Sequence, residues 1–227
     1  MDKKCSWYRR ACIGTIETEK NVQGDFCVGI RNWIRFFTHT LLIGGAVTGI
    51  LGFIIRWNEF APLFVNKEWG EVFSVLTWLI GVGFTFSVIS QMGFFAYLTI
   101  HQFGLGLFRS YWGFIQLALI VVVLFDLVYF RFQAFSNGDS IGSYLLLAAI
   151  LFIVGIVTAY VKAKSKSRSV FVAALFFMVV VTTLEWLPVL QANEKSWLYL
   201  MLFTLLPCNA FQLLMLPKYN KKTSKAA

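Results

Sequence analysis

Six uninterrupted apolar runs, each long enough to cross a bilayer as a helix, constrain this chain more than any other feature. A hydrocarbon core of about 30 Å takes roughly 20 residues at about 1.5 Å per residue. Runs of that size lie at Phe36–Trp57, Val72–Leu98, Tyr111–Phe130, Ile141–Val161, Val170–Leu190 and Trp197–Leu216. In lipid the backbone must satisfy its own N–H and C=O groups, so such runs fold as helices. The fold class expected is therefore all-α, a polytopic six-transmembrane-helix bundle spanning residues 31–218. The intervening segments NEFAPLFVNKE, SNGDS, KAKSKSRS and QANEKS are short and polar and read as turns. With 58% hydrophobic and 14% charged residues and a mean hydropathy of +0.70, the chain leaves little material for a water-soluble domain.

Orientation follows from where the basic residues fall. On one side are seven Lys and Arg before the first run, one in the second connector (Arg109), four in the fourth and four in the tail; the other side has Arg56, Lys67, Arg131 and Lys195. The division is 16 to 4 and covers all 20. Positive residues stay in the cytoplasm, so both termini are expected there, with membrane lipids as the surrounding partner. Omitting any one run would put the basic fourth connector or the tail on the wrong side. The same placement accounts for the net charge of +9 without a nucleic-acid partner. The first run lacks an A-x-A cleavage signal and begins too late for an ordinary signal peptide. Three Cys precede it, Cys208 lies in the last run, and none falls in an expected external connector, so no disulfide framework is indicated.

Polar and small residues inside the runs mark the faces that matter. Gly45, Gly49 and Gly52 form a small-residue stripe on the first run, suited to close approach of another helix, from this chain or from a partner. Arg56 extends that stripe. Asp126 and Glu185 are acids within runs three and five, and counting from the external ends puts them roughly 6 to 7.5 Å deep at helical rise. Intramembrane acids seek partners, so Arg56, Asp126 and Glu185 are expected to form a charge network tying runs one, three and five. Two milder stripes are Ser87, Ser90 and Gln91, with Gly83, on run two, and Thr204, Cys208 and Gln212, with Asn209 beside them, on run six. These read as interhelical hydrogen bonding.

Catalytic signatures are missing: there is no H-E-x-x-H, G-x-S-x-G or Walker loop, and His39 and His101 stand without clustered ligands. No catalytic, cofactor-binding or metal-ligating residue is assigned, and the chain is read as a non-enzyme. HQFGLGLFRS lacks the rest of a dinucleotide fingerprint and reads as an interfacial turn.

The segments RNWIRFF, TLLIGGAVTGILGFIIRWNEFAPLF, WLIGVGFTFSVISQMGFFAYLTIHQFGLGLFRS, VLFDLVYFR, LEWLPVL and WLYLMLFTLLPCNAFQLLMLPK occur in this order from about Arg31 to Lys218. They resemble the KinB-signalling pathway activation (KbaA) family of spore-forming Bacillus-type bacteria. That resemblance implies a Gram-positive cell membrane and a role in starting sporulation, as activator of the sensor histidine kinase KinB that feeds a phosphorelay. It implies no catalytic residues, and it extends the partners to KinB and a lipoprotein activator encoded with it. The alternative from the residues is a small-molecule transporter or membrane ligand sensor using Arg56, Asp126 and Glu185. The family typically begins near Arg31, so residues 1–30 read either as a basic cytoplasmic extension or as a misassigned start, with the true start near Val28. The codons for Gln23, Gly24 and Asp25 would contain a ribosome-binding-like pattern just upstream of it. Residues 219–227 read as a basic tail.

The charge division predicts that alkaline phosphatase fused after Asn137 is active and fused after Ser167 is inactive. Activities measured in intact cells check the orientation, and the reverse pattern would invert it.

Overall fold

The computed structural model describes residues 31–108, 111–130, 132–133, 141–164, 168–192 and 194–224, and among them every regular element is helical. The extension and the alternative start near Val28 lie outside the described residues. Helix α1 runs Arg31–Ile55 and a short α2 runs Trp57–Val65. Helix α3 covers Trp69–Phe108. Helix α4 covers Trp112–Phe125 and continues as a π-helical turn, Asp126–Phe130. Helix α5 is Ile141–Ala163. Helix α6 joins Arg168–Phe176, a π-helical turn Phe177–Val181, and Thr182–Ala192, and α7 is Lys195–Ser224. Six of the seven, all but α2, are long and apolar enough to cross a membrane.

The chain divides into a body, Thr40–Leu214, and a second unit holding the start of α1, to His39, and the end of α7, from Met215. In the second unit Phe36 packs edge-on against Tyr219, ring centroids 5.5 Å apart, and against Trp33 at 5.9 Å.

Within the body α6 is the hub. It packs against α3, α4 and α5, and every residue from Ala173 to Thr183 is buried, so this stretch has no face left for lipid. Buried share separates the spans: 72% of the apolar window of α6 and 61% of that of α7 are buried, against 22–33% for the others. Lipid tails are as apolar as the side chains they touch, so close packing rather than burial from water has to hold these helices together. Aromatic rings supply much of that contact: Phe94 and Tyr97 of α3 lie 5.4 and 4.9 Å from Phe177, and the Tyr97 hydroxyl donates to the Ala173 carbonyl at 3.1 Å. The outer spans turn apolar side chains outward, including Ile54, Phe73, Met92, Phe114, Val121 and Ile153. Such a surface suits hydrocarbon and not water.

Two segments read as turns are helical. Within NEFAPLFVNKE, α2 forms because Phe60 and Phe64 pack on Phe53 of α1, at 5.4 and 5.7 Å, which offsets the backbone bond lost at Pro62. Its end is a Schellman turn: Lys67 N–H donates to Phe64 O, Glu68 N–H donates to Leu63 O at 3.1 Å, and Lys67 takes a left-handed φ of 56°. Within HQFGLGLFRS, α3 continues to Phe108 because Gly104 receives the Trp112 ring, which a Cβ there would meet at 2.4 Å. The Trp112 indole also donates to His101 Nδ1 at 3.1 Å, giving that histidine a structural role. Residue 218, the expected end of the membrane domain, lies inside α7, which continues to Ser224.

The tightest approach of α1 to α3 is at Gly44 and Gly83. A Cβ on Gly83 would lie 2.6 Å from the Gly44 carbonyl oxygen and 2.8 Å from the Gly45 Cα. Backbone cannot yield as a side chain can, so Gly83→Val is expected to destabilise the protein by about 1–3 kcal/mol. Gly81→Val is the control, because nothing lies within 4 Å of a Cβ there. Thermal unfolding of both purified variants in detergent measures the difference.

Candidate functional site: a buried polar network

Helical spacing of four on α7 puts Thr204, Cys208 and Gln212 on one face, with Asn209 adjoining. On α3, Ser87, Ser90 and Gln91 share the buried face. The structure turns these two faces toward each other. Gln212 Nε2 donates to Ser90 Oγ at 2.6 Å, and Ser90 Oγ donates to Asn209 Oδ1 at 2.6 Å. Asn209 Nδ2 donates to Glu185 Oε2 at 2.6 Å and to Thr182 Oγ1 at 2.9 Å. Helix α1 joins through a Thr48–Thr204 hydroxyl pair at 2.9 Å and through the Thr40 carbonyl, which accepts from Ser87 Oγ at 2.8 Å and more weakly from Cys208 Sγ at 3.9 Å. The π-helical turn Phe177–Val181 directly precedes Thr182 and Glu185 and resets the helical phase that aims them at α7.

Depth differs from the expectation. Asn209 is fourteen residues into α7, roughly 21 Å at about 1.5 Å per residue, and Ser90 is near the middle of α3. Glu185 is therefore held beside the midpoints of its neighbours. The packed helices are offset along their axes, so distance from the end of its own run does not give the depth of Glu185.

The expected charge network is not assembled. Arg56 pairs with Glu59 of α2 at 2.8 Å, and its guanidinium lies 5.4 Å from the Trp197 ring and 5.8 Å from that of Phe60. The bend between α1 and α2 sets Glu59 one turn from Arg56, a pairing hidden while α2 was read as a turn. Asp126 is exposed on α4. Glu185 is 7% exposed and takes the Asn209 amide in place of a cation.

Gly93 carried no signal of its own in the sequence. A Cβ there would fall 1.9 Å from Glu185 Oε1, so the missing side chain is the space the carboxyl occupies. Thr40, Thr48 and Thr182 carry no signal of this kind either, since a threonine can satisfy its hydroxyl on its own helix and need not mark an interhelical contact. Among the described residues two buried acceptors have no hydrogen-bond partner, Glu185 Oε1 and Gln212 Oε1.

The glycine stripe on α1 resolves into different roles. Gly52 is filled by Leu79, whose Cδ2 a Cβ would meet at 2.6 Å, and Gly45 by Phe84 at 2.6 Å. At Gly49 a Cβ would meet Ile80 at an ordinary 3.4 Å. Beside it runs an apolar groove of about 490 Å³ lined by Gly45, Ala46, Gly49, Ile50, Phe53, Phe64, Leu76 and Ile80.

Asn209 holds three partners at once, so Asn209→Ala leaves Ser90, Thr182 and Glu185 short of a bond. The expected loss is about 1–3 kcal/mol, the cost of stranding buried polar groups. Ser87→Ala removes one interhelical bond and should lose only about 0.6 kcal/mol. Unfolding free energies of the two variants test that ratio.

Residues 44–219 match the protein family described as KinB-signalling pathway activation in sporulation. The chain is also similar to the KinB-signaling pathway activation protein of Bacillus subtilis (strain 168), at 52% identity over 195 residues, which is 85% of this chain and 98% of that protein. No solved structure matches it.

Proposed function

Because this chain belongs to the KinB-signalling pathway activation family of sporulation, we propose that it is a non-enzymatic, multi-pass activator in the cell membrane that engages the kinase KinB by helix-to-helix contact. The observation that carries this reading is the apolar groove along α1 and α3 at Gly49 and Ile50. Ile50 is 64% exposed along its edge, and Gly49, buried against Ile80 and Leu76, forms part of its floor without a side chain to fill it. A transmembrane helix of the kinase fits such a groove. Contact alone would not activate; the helix must bind better to the active than to the inactive arrangement of the kinase, since only differential affinity shifts an equilibrium. On this reading the lipoprotein activator that the family resemblance implies joins the same assembly.

Gly49 is the position to test, because a larger side chain there meets the Ile80 and Leu76 side chains that line the groove and no backbone. Gly49→Leu is expected to lower KinB-dependent sporulation at unchanged protein level. A photo-crosslinking residue at Ile50 is expected to capture the kinase, and one at Ile153, exposed on α5, is not. Normal sporulation in Gly49→Leu together with capture from Ile153 alone would remove the groove from the mechanism.

A further inference from the structure

We infer that the Glu185 carboxyl is an exchangeable proton site inside the bundle, held protonated at Oε1 at rest and reached through the notch at Gly93. Its other oxygen is already satisfied by Asn209 Nδ2 at 2.6 Å, whereas Oε1 is buried with no donor. No donor of the network reaches it. Both N–H groups of Asn209 are spent, on Glu185 and Thr182, and the single hydroxyl hydrogen of Ser90 is spent on Asn209 Oδ1. The donors run in one sense from Gln212 through Ser90 and Asn209 and end on Oε2 of the carboxyl, which leaves Oε1 as the oxygen free to carry a proton.

Charge leads to the same assignment. The neighbours are neutral: α3 presents Ser90 and Gly93, α6 itself Thr182, and α7 Asn209. The titratable group that α7 brings within electrostatic reach is the Cys208 thiol. Among the described residues no cation pairs with Glu185, and Arg56 is engaged by Glu59. An ionised carboxylate at this depth would be one negative charge with one hydrogen bond, an arrangement that hydrocarbon penalises heavily. A proton on Oε1 removes the charge. One carboxyl among neutral amides and hydroxyls is also a poor donor set for a multivalent cation, which favours several carboxylates.

The cover over Oε1 is thinnest on the α3 side. Gly93 is half-buried, and with no Cβ to cover Oε1 the carboxyl lies just beneath the helix surface there. Release breaks the Oε1–H bond and passes the proton to a water admitted when the contact of the carboxyl with α3 at Gly93 opens, leaving the electron pair on the carboxylate. Since Asn209 and Thr182 hold α6 to α7 at this point, proton occupancy is coupled to the packing of the two best-buried spans.

Infrared difference spectroscopy of the full chain in lipid, titrated with pH, tests the assignment. The expected result is a protonated-carboxyl C=O band that is lost reversibly as the pH rises, is absent from Glu185→Gln and is shifted in Glu185→Asp. The glutamine variant mimics the protonated shape, and the aspartate variant retains the test if glutamine does not fold. Three results would overturn the proposal: no band that either variant removes or moves, a Glu185 band unchanged at every pH, or loss of that band on adding sodium ions at fixed pH, which would make a metal cation the occupant.

Discussion

A carboxyl group cannot be left alone in hydrocarbon, and the contacts among α3, α6 and α7 are arranged around that requirement. Glu185 is met by Asn209, Asn209 by Ser90, and Ser90 by Gln212, so one acid draws polar groups from three helices into a single directed chain. Each interhelical bond is modest on its own, and the set gains its importance because any member removed strands the next. Hydrocarbon offers no competing partner, and so the polar side chains specify which helix faces meet where apolar contact alone would permit several registers.

The apolar part of the body follows from that register. With Glu185 fixed against α7, the π-helical turn Phe177–Val181 presents a fully buried stretch to α3, α4 and α5. Small residues then set the spacing. Gly155 lets α5 approach, a Cβ there meeting Leu175 and Val179 at 3.3 Å, and Gly44 and Gly83 bring α1 onto α3. A Cβ on Gly49, by contrast, would meet only side chains, Ile80 at 3.4 Å and Leu76 at 3.5 Å, on the floor of the groove proposed for a second transmembrane helix.

Much of this was legible because hydrocarbon imposes simple rules on sequence. Length and apolarity alone located the six spans, and the four-residue spacing of Thr204, Cys208 and Gln212 disclosed a polar face before its counterpart was known. What stayed hidden depends on pairs of helices. Glu185 invited a cation such as Arg56, yet charge type says nothing about reach, and an amide at mid-depth on α7 was available where the guanidinium was not. Gly93 could not be read at all, since its meaning is the shape of another residue's carboxyl. The short helix α2 was masked by Pro62 and its polar neighbours, because the phenylalanine that supports it belongs to α1.

The position of Glu185 and Asn209 on consecutive helices also bears on how the chain is made. The acid is synthesised 24 residues before the amide that receives it. During that interval α6 carries an unmatched carboxyl and a stretch with no side meant for lipid. It is therefore poorly suited to leave the insertion machinery by itself, and its natural unit of release is the hairpin of α6 with α7, delivered onto helices that are already waiting. Only two residues of sequence separate α6 from α7, which keeps that delay short, so the brevity of this connection becomes part of how the bundle is assembled.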